Sequence, residues 1–290
     1  MAARSLALAQ GPASKHSGQA VKPNLPANVE IVSDIVYASY GGRKLLLDLY
    51  LPKPRPAKPL AGVIAIRGGG WTEGDKGGFG HIAAGLASRG LAAVSIEYRT
   101  TKEVKFVNVV QDCKAAVRWM RAEGSQYGIR PNAIGAIGGS AGGHLVALLG
   151  TSYKASDLEG DGGHAGVSSR VQAVVAMAPV TDFFTLNPND PDLPRLFHGD
   201  TTLEKSLSPV TYLDSDSAAI LLLHGTADHS VPYQQSVEML ERSKKAGVRA
   251  ELVGLEGAPH AFWNPGKWHD ETIERAATFF HSVLDQAPTD

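Results

Sequence analysis

The chain has 290 residues, 43% of them hydrophobic and 20% charged, with a formal net charge of −1. That is enough chain for one large α/β core, and no Lys/Arg block points to nucleic acid. No apolar run nears the roughly 18 residues that would cross a bilayer, and the single cysteine excludes an intramolecular disulfide and a cysteine-based zinc site.

Residues 1–28 are rich in Pro, Gly, Ser and Ala and read as a flexible tail. Within it, "MAARSLALAQG" carries an early arginine and the small-x-small pattern Ala7-Leu8-Ala9, the expectation being a signal-peptide remnant and a secreted or periplasmic protein, with a disordered start and a cytoplasmic protein as the alternative. Residues 29–290 read as one domain. "EIVSDIVYAS" and "RKLLLDLYLP" form a hairpin around Gly41-Gly42. "GVIAIRGGGW" is a buried strand ending in glycines, followed by a helix near 79–89, the strand "AAVSIEYR" and a helix from Val107 to Glu123. Cys113 lies on the apolar face of that helix as a small hydrophobe, and Trp119 reads as core.

"AIGAIGG" is the next strand and "HLVALLG" the next helix. Three further strands, "VQAVVAMAP", "AAILLLHG" and "AELVGLEG", precede or separate helices near 233–246 and 269–285. A hairpin followed by alternating strands and helices predicts a mostly parallel sheet covered on both faces. Residues 181–217 break the alternation with a polar, proline-rich stretch, read as a small cap beyond a strand's C-terminal end, where open α/β sheets bind ligands.

The chemistry centres on Gly138-x-Ser140-x-Gly142, which follows a strand and opens a helix. In that setting a sharp turn lifts the serine hydroxyl above the sheet. A hydroxyl becomes a nucleophile only when a base takes its proton and an acid orients the base. Downstream, "LLLHGTADHSVP" presents Asp228 and "LEGAPHAFW" presents His260, each just past a strand end. His224 is assigned to loop shaping, His144 is aimed away from the serine, and His229 and His269 read as solvated. Asp214 and Asp216 precede a strand and are poorly placed as orienters.

An oxyanion hole needs amides aimed at the developing charge. Ala141, directly after the serine, and the glycines of "RGGGW" are the candidates. No Lys-Ser/Thr follows those glycines as it would in a phosphate-binding loop. "DLEGDGGH", residues 157–164, is loosely like a calcium loop, but the closing acidic residue is absent at Ser168, so no metal is assigned.

"RGGGWTEGDK", "GLAAVSIEYR", "IGGSAGGHLVALLG", "HGTADHSVPYQQS" and "GAPHAF" together resemble an α/β-hydrolase esterase of the hormone-sensitive-lipase-like and bacterial acetyl- or feruloyl-esterase group. The resemblance covers about residues 30–285. It implies an α/β-hydrolase fold and a cofactor-free serine carboxylesterase. Ser140 would be nucleophile, His260 base and Asp228 orienting acid, with oxyanion amides from Gly69, Gly70 and Ala141. It departs from the group at Arg67, where a histidine usually braces the glycine loop; arginine would instead bond carbonyls or pair with a carboxylate.

Trp71 and Trp263 are read as borders of a short, open pocket for small acyl or flat aryl groups. The expected substrate is a short acyl or aryl ester, small or attached to a polysaccharide, with acetyl and feruloyl esters of carbohydrate as candidates. No nucleic acid or membrane partner is expected, and a homodimer stays open. Two other readings share the fold: a serine peptidase of prolyl-oligopeptidase type and a non-catalytic binding protein. The first normally carries an N-terminal propeller, for which the 28 tail residues leave no room. The second commonly lacks a triad member, and all three are present here.

Overall fold

The computed structural model describes residues 25–73, 75–186 and 196–287. Most of the segment read as a tail, residues 1–24, lies outside these. Residues 25–28 do not behave as a tail: Asn28 Nδ2 donates to the Ser88 carbonyl, and the Asn28 carbonyl accepts from the Lys53 amide.

Strands β1 (Val29–Tyr40) and β2 (Arg43–Pro52) form the expected antiparallel hairpin. The alternation then runs β3 (Leu60–Ile66), α1 (Gly80–Ala87), β4 (Ala92–Ile96), α2 (Phe106–Glu123), β5 (Ile129–Gly139), α3 (Ala141–Thr151) and β6 (Ala173–Met177). After α4 (Thr201–Ser206) come β7 (Ala219–Gly225), α5 (Gln234–Lys245), β8 (Ala250–Leu255) and α6 (His269–Leu284). The eight strands lie in the order β1-β2-β4-β3-β5-β6-β7-β8. Only the pairings β1–β2 and β2–β4 are antiparallel.

Continuous apolar runs explain the central strands. Every residue of β3, β4 and β6 is buried, as parallel strands covered on both faces require. Two cores result. Helices α2, α3 and α5 pack on one face through Val117, Leu145, Leu148 and Met239. Helices α1 and α6 cover the other through Ile82, Leu86, Ile273 and Phe280. The chain is thus the mostly parallel α/β-hydrolase sheet that the sequence predicts.

Part of the 181–217 insertion, residues 187–195, lies outside the described residues. The rest contains α4 and a short 3-10 turn, Pro209–Tyr212. It is anchored by Phe183, Leu186, Phe197 and Leu207, all buried against the α2–α3 side of the sheet.

One ion pair ties the end of β4 to α2. The Asp112 carboxylate has 0% exposure and accepts from the Arg99 amide at 2.9 Å, from Nε at 2.9 Å and from Nη2 at 2.7 Å. Removing one partner of such a pair leaves an uncompensated buried charge. Asp112→Ala should therefore lower the unfolding free energy by about 3 kcal/mol in urea titration. Adding Arg99→Met to that variant should restore part of the loss.

Candidate active site

The Gly-rich stretch is needed because two backbones almost touch. A Cβ on Gly142 would run into the Ile66 carbonyl oxygen and lie 2.7 Å from the Arg67 carbonyl oxygen, closer than real Cβ contacts come. A Cβ on Gly138 would collide with the Gly142 carbonyl. With glycine at both places, the β5–α3 turn can press against the end of β3. Ser140, at the apex, has φ 56° and ψ −123°, a conformation that ordinary residues avoid and that a well-supported active-site turn retains. Ser140 is half-buried, and its hydroxyl accepts and donates no hydrogen bond among the described residues.

Hydrogen bonds between the strand ends carry this position across the sheet. The Ser140 amide donates to the Met177 carbonyl at 2.9 Å, that of Ala178 to Leu223 at 2.8 Å, and that of Ala227 to Ala258 at 3.1 Å. These bonds lace the ends of β5, β6 and β7 to the loop after β8, which brings Ser140, Asp228 and His260 to one edge. His260 Nδ1–H donates to Asp228 Oδ2 at 2.7 Å. The Trp263 indole packs against both Gly139, the residue before the serine, and His260. Its ring is 5.4 Å from the His260 ring, and its Cε2 sits 2.7 Å from where a Cβ on Gly139 would be.

Asp228 is well suited to its place. Its side chain is fully buried, which by itself would push the carboxyl up. Hydrogen bonds from His224, from His260 and from the Val231 amide outweigh burial and hold it well below the usual carboxylate range. Oδ1 accepts the Ser230 and Val231 amides at 2.8 and 3.0 Å. His224 Nε2 lies 3.3 Å from Oδ2, while its Nδ1 meets Ser236 Oγ at 2.7 Å. Sequence reasoning gave His224 the loop but missed its contact with the acid. The signal available was its place at a strand end, four residues before Asp228. An ionised Asp228 keeps the proton on His260 Nδ1, leaving Nε2 as the basic nitrogen. Nε2 and Ser140 Oγ share no hydrogen bond among the described residues, and catalytic hydrogen bonds are often long before substrate enters.

The candidate oxyanion loop abuts the serine. A Cβ on Gly68 would lie 3.1 Å from Ser140 Cβ and 2.7 Å from the Gly139 carbonyl oxygen, so Gly68, not singled out from sequence, makes the closest approach. Gly69, Gly70 and Trp71 follow with φ of 116°, 56° and 60°. Ala141 opens α3, where first-turn amides have no helical partner.

Residues 47–242 match the BD-FAE family. The chain belongs to that family of α/β-hydrolase esterases. It is 34% identical to the probable carboxylic ester hydrolase LipM of Mycobacterium tuberculosis, over 79% of this chain and 56% of LipM. Esterase LipQ of the same organism is 29% identical over 95% of this chain and 68% of LipQ. The chain thus spans little more than half the length of one curated relative and about two thirds of the other. Among solved structures, a truncated carbohydrate esterase from gut microbiota superposes with a TM-score of 0.79 at 29% identity, over 87% of this chain and 95% of that one. Esterase 2 of Thermogutta terrifontis gives 0.77 at 32% identity, over 90% and 96%.

In this BD-FAE chain both tryptophans read as pocket borders are buried. Trp71 is 8% exposed and Trp263 5%. The Trp71 indole packs among Phe106, His144 and Phe183, and its Nε1–H donates to His144 Nδ1 at 3.1 Å. Trp263 is held by Phe79, His260 and Phe262. Neither offers an open face for a sugar or aryl ring to stack on. Arg67 meets a carboxylate, Glu73, at 3.4 Å and lies across Gly78. His269 is not solvated as read; its ring lies 5.3 Å from that of His81. Asp214 and Asp216 bind Lys154. Glu159 of the calcium-like stretch is engaged by Lys114, Arg118 and Ser169.

His144 is fully buried, surrounded by Trp71, Phe106, Phe183 and the Leu207 carbonyl, with no charged neighbour among the described residues. Burial pushes its pKa down to about 4. Between about pH 6.5 and 4 the unfolded chain takes up a proton here that the folded chain refuses, so stability falls as pH falls. Across that window the loss should reach about 3 kcal/mol. Urea titrations should show His144→Asn losing less stability than the parent between pH 7 and 4.

Proposed function

We propose that this chain is a serine carboxylesterase for short acyl or aryl esters, with acetyl and feruloyl esters of carbohydrate as the natural class. The observation that carries the reading is the His260–Asp228 hydrogen bond of 2.7 Å, laced through the strand ends to a serine held at φ 56°. Ser140 Oγ attacks the ester carbonyl as its proton passes to His260 Nε2. The oxyanion accepts hydrogen bonds from the Ala141 amide and the Gly69 and Gly70 amides. As the carbonyl re-forms, the C–O bond to the leaving alcohol breaks and the alcohol takes the proton from His260. Water then repeats the sequence on the acyl-serine and releases the acid.

The short-acyl preference draws support from the insertion. A long acyl chain gains about 0.8 kcal/mol per buried methylene only where an apolar channel exists. Phe183 and Phe197 are 1% and 3% exposed and pack on each other at 4.7 Å between ring centroids. They fill apolar space on the insertion side. Esterase 2 of T. terrifontis has been solved with butyrate bound, and carbohydrate is the substrate class in the name of the gut esterase.

Ser140→Ala should lower kcat for p-nitrophenyl butyrate by about 10⁴-fold or more, with the thermal midpoint retained, and Asp228→Asn should cost somewhat less. Near-parental hydrolysis by Ser140→Ala would end the esterase reading. Across p-nitrophenyl esters in monomeric solution, kcat/KM should peak between acetyl and butyryl and fall steeply beyond hexanoyl. A maximum at decanoyl would contradict the substrate class.

A further inference from the structure

We propose that His144 is a positioning residue that holds the oxyanion loop in its working shape and ties it to the 181–217 insertion. This rests on the assignment of the Gly69 and Gly70 amides as oxyanion donors. An indole N–H can only donate and a carbonyl can only accept. The 3.1 Å contact with Trp71 Nε1 therefore makes His144 Nδ1 the acceptor, and the 2.7 Å contact with the Leu207 carbonyl puts the proton on Nε2. Both ring nitrogens are thus engaged, and neither faces the triad.

The loop needs such an anchor. Gly69, Gly70 and Trp71 have three consecutive positive φ values, and for tryptophan that region is strained. The strain persists only if Trp71 is fixed from outside. Hydrogen bonds at both its ends fix it: its carbonyl accepts from the Thr101 amide at 2.9 Å and from the Thr101 hydroxyl at 3.3 Å, and its indole is bound by His144. His144 itself sits on a rigid base, since its amide donates to the Ser140 carbonyl at 2.9 Å in the first turn of α3. Nucleophile, oxyanion loop and insertion are thereby referenced to one imidazole.

Packing alone does not require a polar group there. The surrounding rings are Phe106, Phe183 and, beyond them, Phe197, a setting that an apolar side chain would also fill. A buried imidazole with two committed hydrogen bonds adds direction, and direction is what an oxyanion hole requires.

The test uses the full chain with p-nitrophenyl butyrate and an alkyl trifluoromethyl ketone, which adds reversibly to the serine as a tetrahedral oxyanion. His144→Phe removes both hydrogen bonds while keeping a ring. Trp71→Phe removes only the indole donor. His144→Asn keeps an amide oxygen near the Nδ1 position and gives up Leu207. The first two should lower kcat by roughly 10- to 100-fold, shift KM less than about twofold, and raise the ketone Ki in step with kcat. The double variant should be no worse than either single, and His144→Asn should recover most of the rate. Parental kcat and Ki in folded Trp71→Phe would overturn the proposal even if His144→Phe fails to fold, as would a loss confined to KM. A parent chain that hydrolyses no ester and does not bind the ketone would instead refute the esterase reading itself.

Discussion

The contact on which the site depends is between two stretches of backbone. The turn after β5 lies so close to the end of β3 that Gly142 leaves no room for a Cβ beside the Ile66 and Arg67 carbonyls. That approach does two things at once. It forces the turn to be sharp, so that Ser140 is raised in a conformation few residues tolerate. It also sets the glycines after β3 against the serine, with Gly68 nearest. Nucleophile and oxyanion loop are neighbours because no side chain separates them.

The opposite half of the site is held by charge and hydrogen bonding. Asp228 is fully buried yet stays ionised, because two histidines and two amides converge on it. Its acidity is a property of the loop, which closes onto the segment before His260 through the Ala227–Ala258 bond. The imidazole inherits its tautomer and its aim from that loop.

Much of this was legible in the sequence for definite reasons. The strands "GVIAI" and "AVVAM" are continuous apolar runs, a pattern that only a sheet covered on both faces demands. Ser140 and Asp228 each follow such a run and His260 follows the half-exposed edge strand β8, so topology carries all three to one edge. The roles of Trp71 and Trp263 were not legible. Trp71 is buried by Phe106 and Phe183, which come from distant segments, and no local pattern reports such partners. The second histidine on Asp228 was missed similarly: position in sequence places His224 at a strand end, whereas side-chain rotation decides which groups its two nitrogens meet.

The strand order has a consequence for synthesis of the chain. From β3 the sheet extends on one side through β5, β6, β7 and β8 in the order of translation. A nascent chain can therefore place its nucleophile long before the base, since His260 follows the last strand. A serine without its base is a poor nucleophile. The three residues of the candidate triad therefore stand together only once the chain beyond β8 has been made and β8 has closed the sheet's last edge.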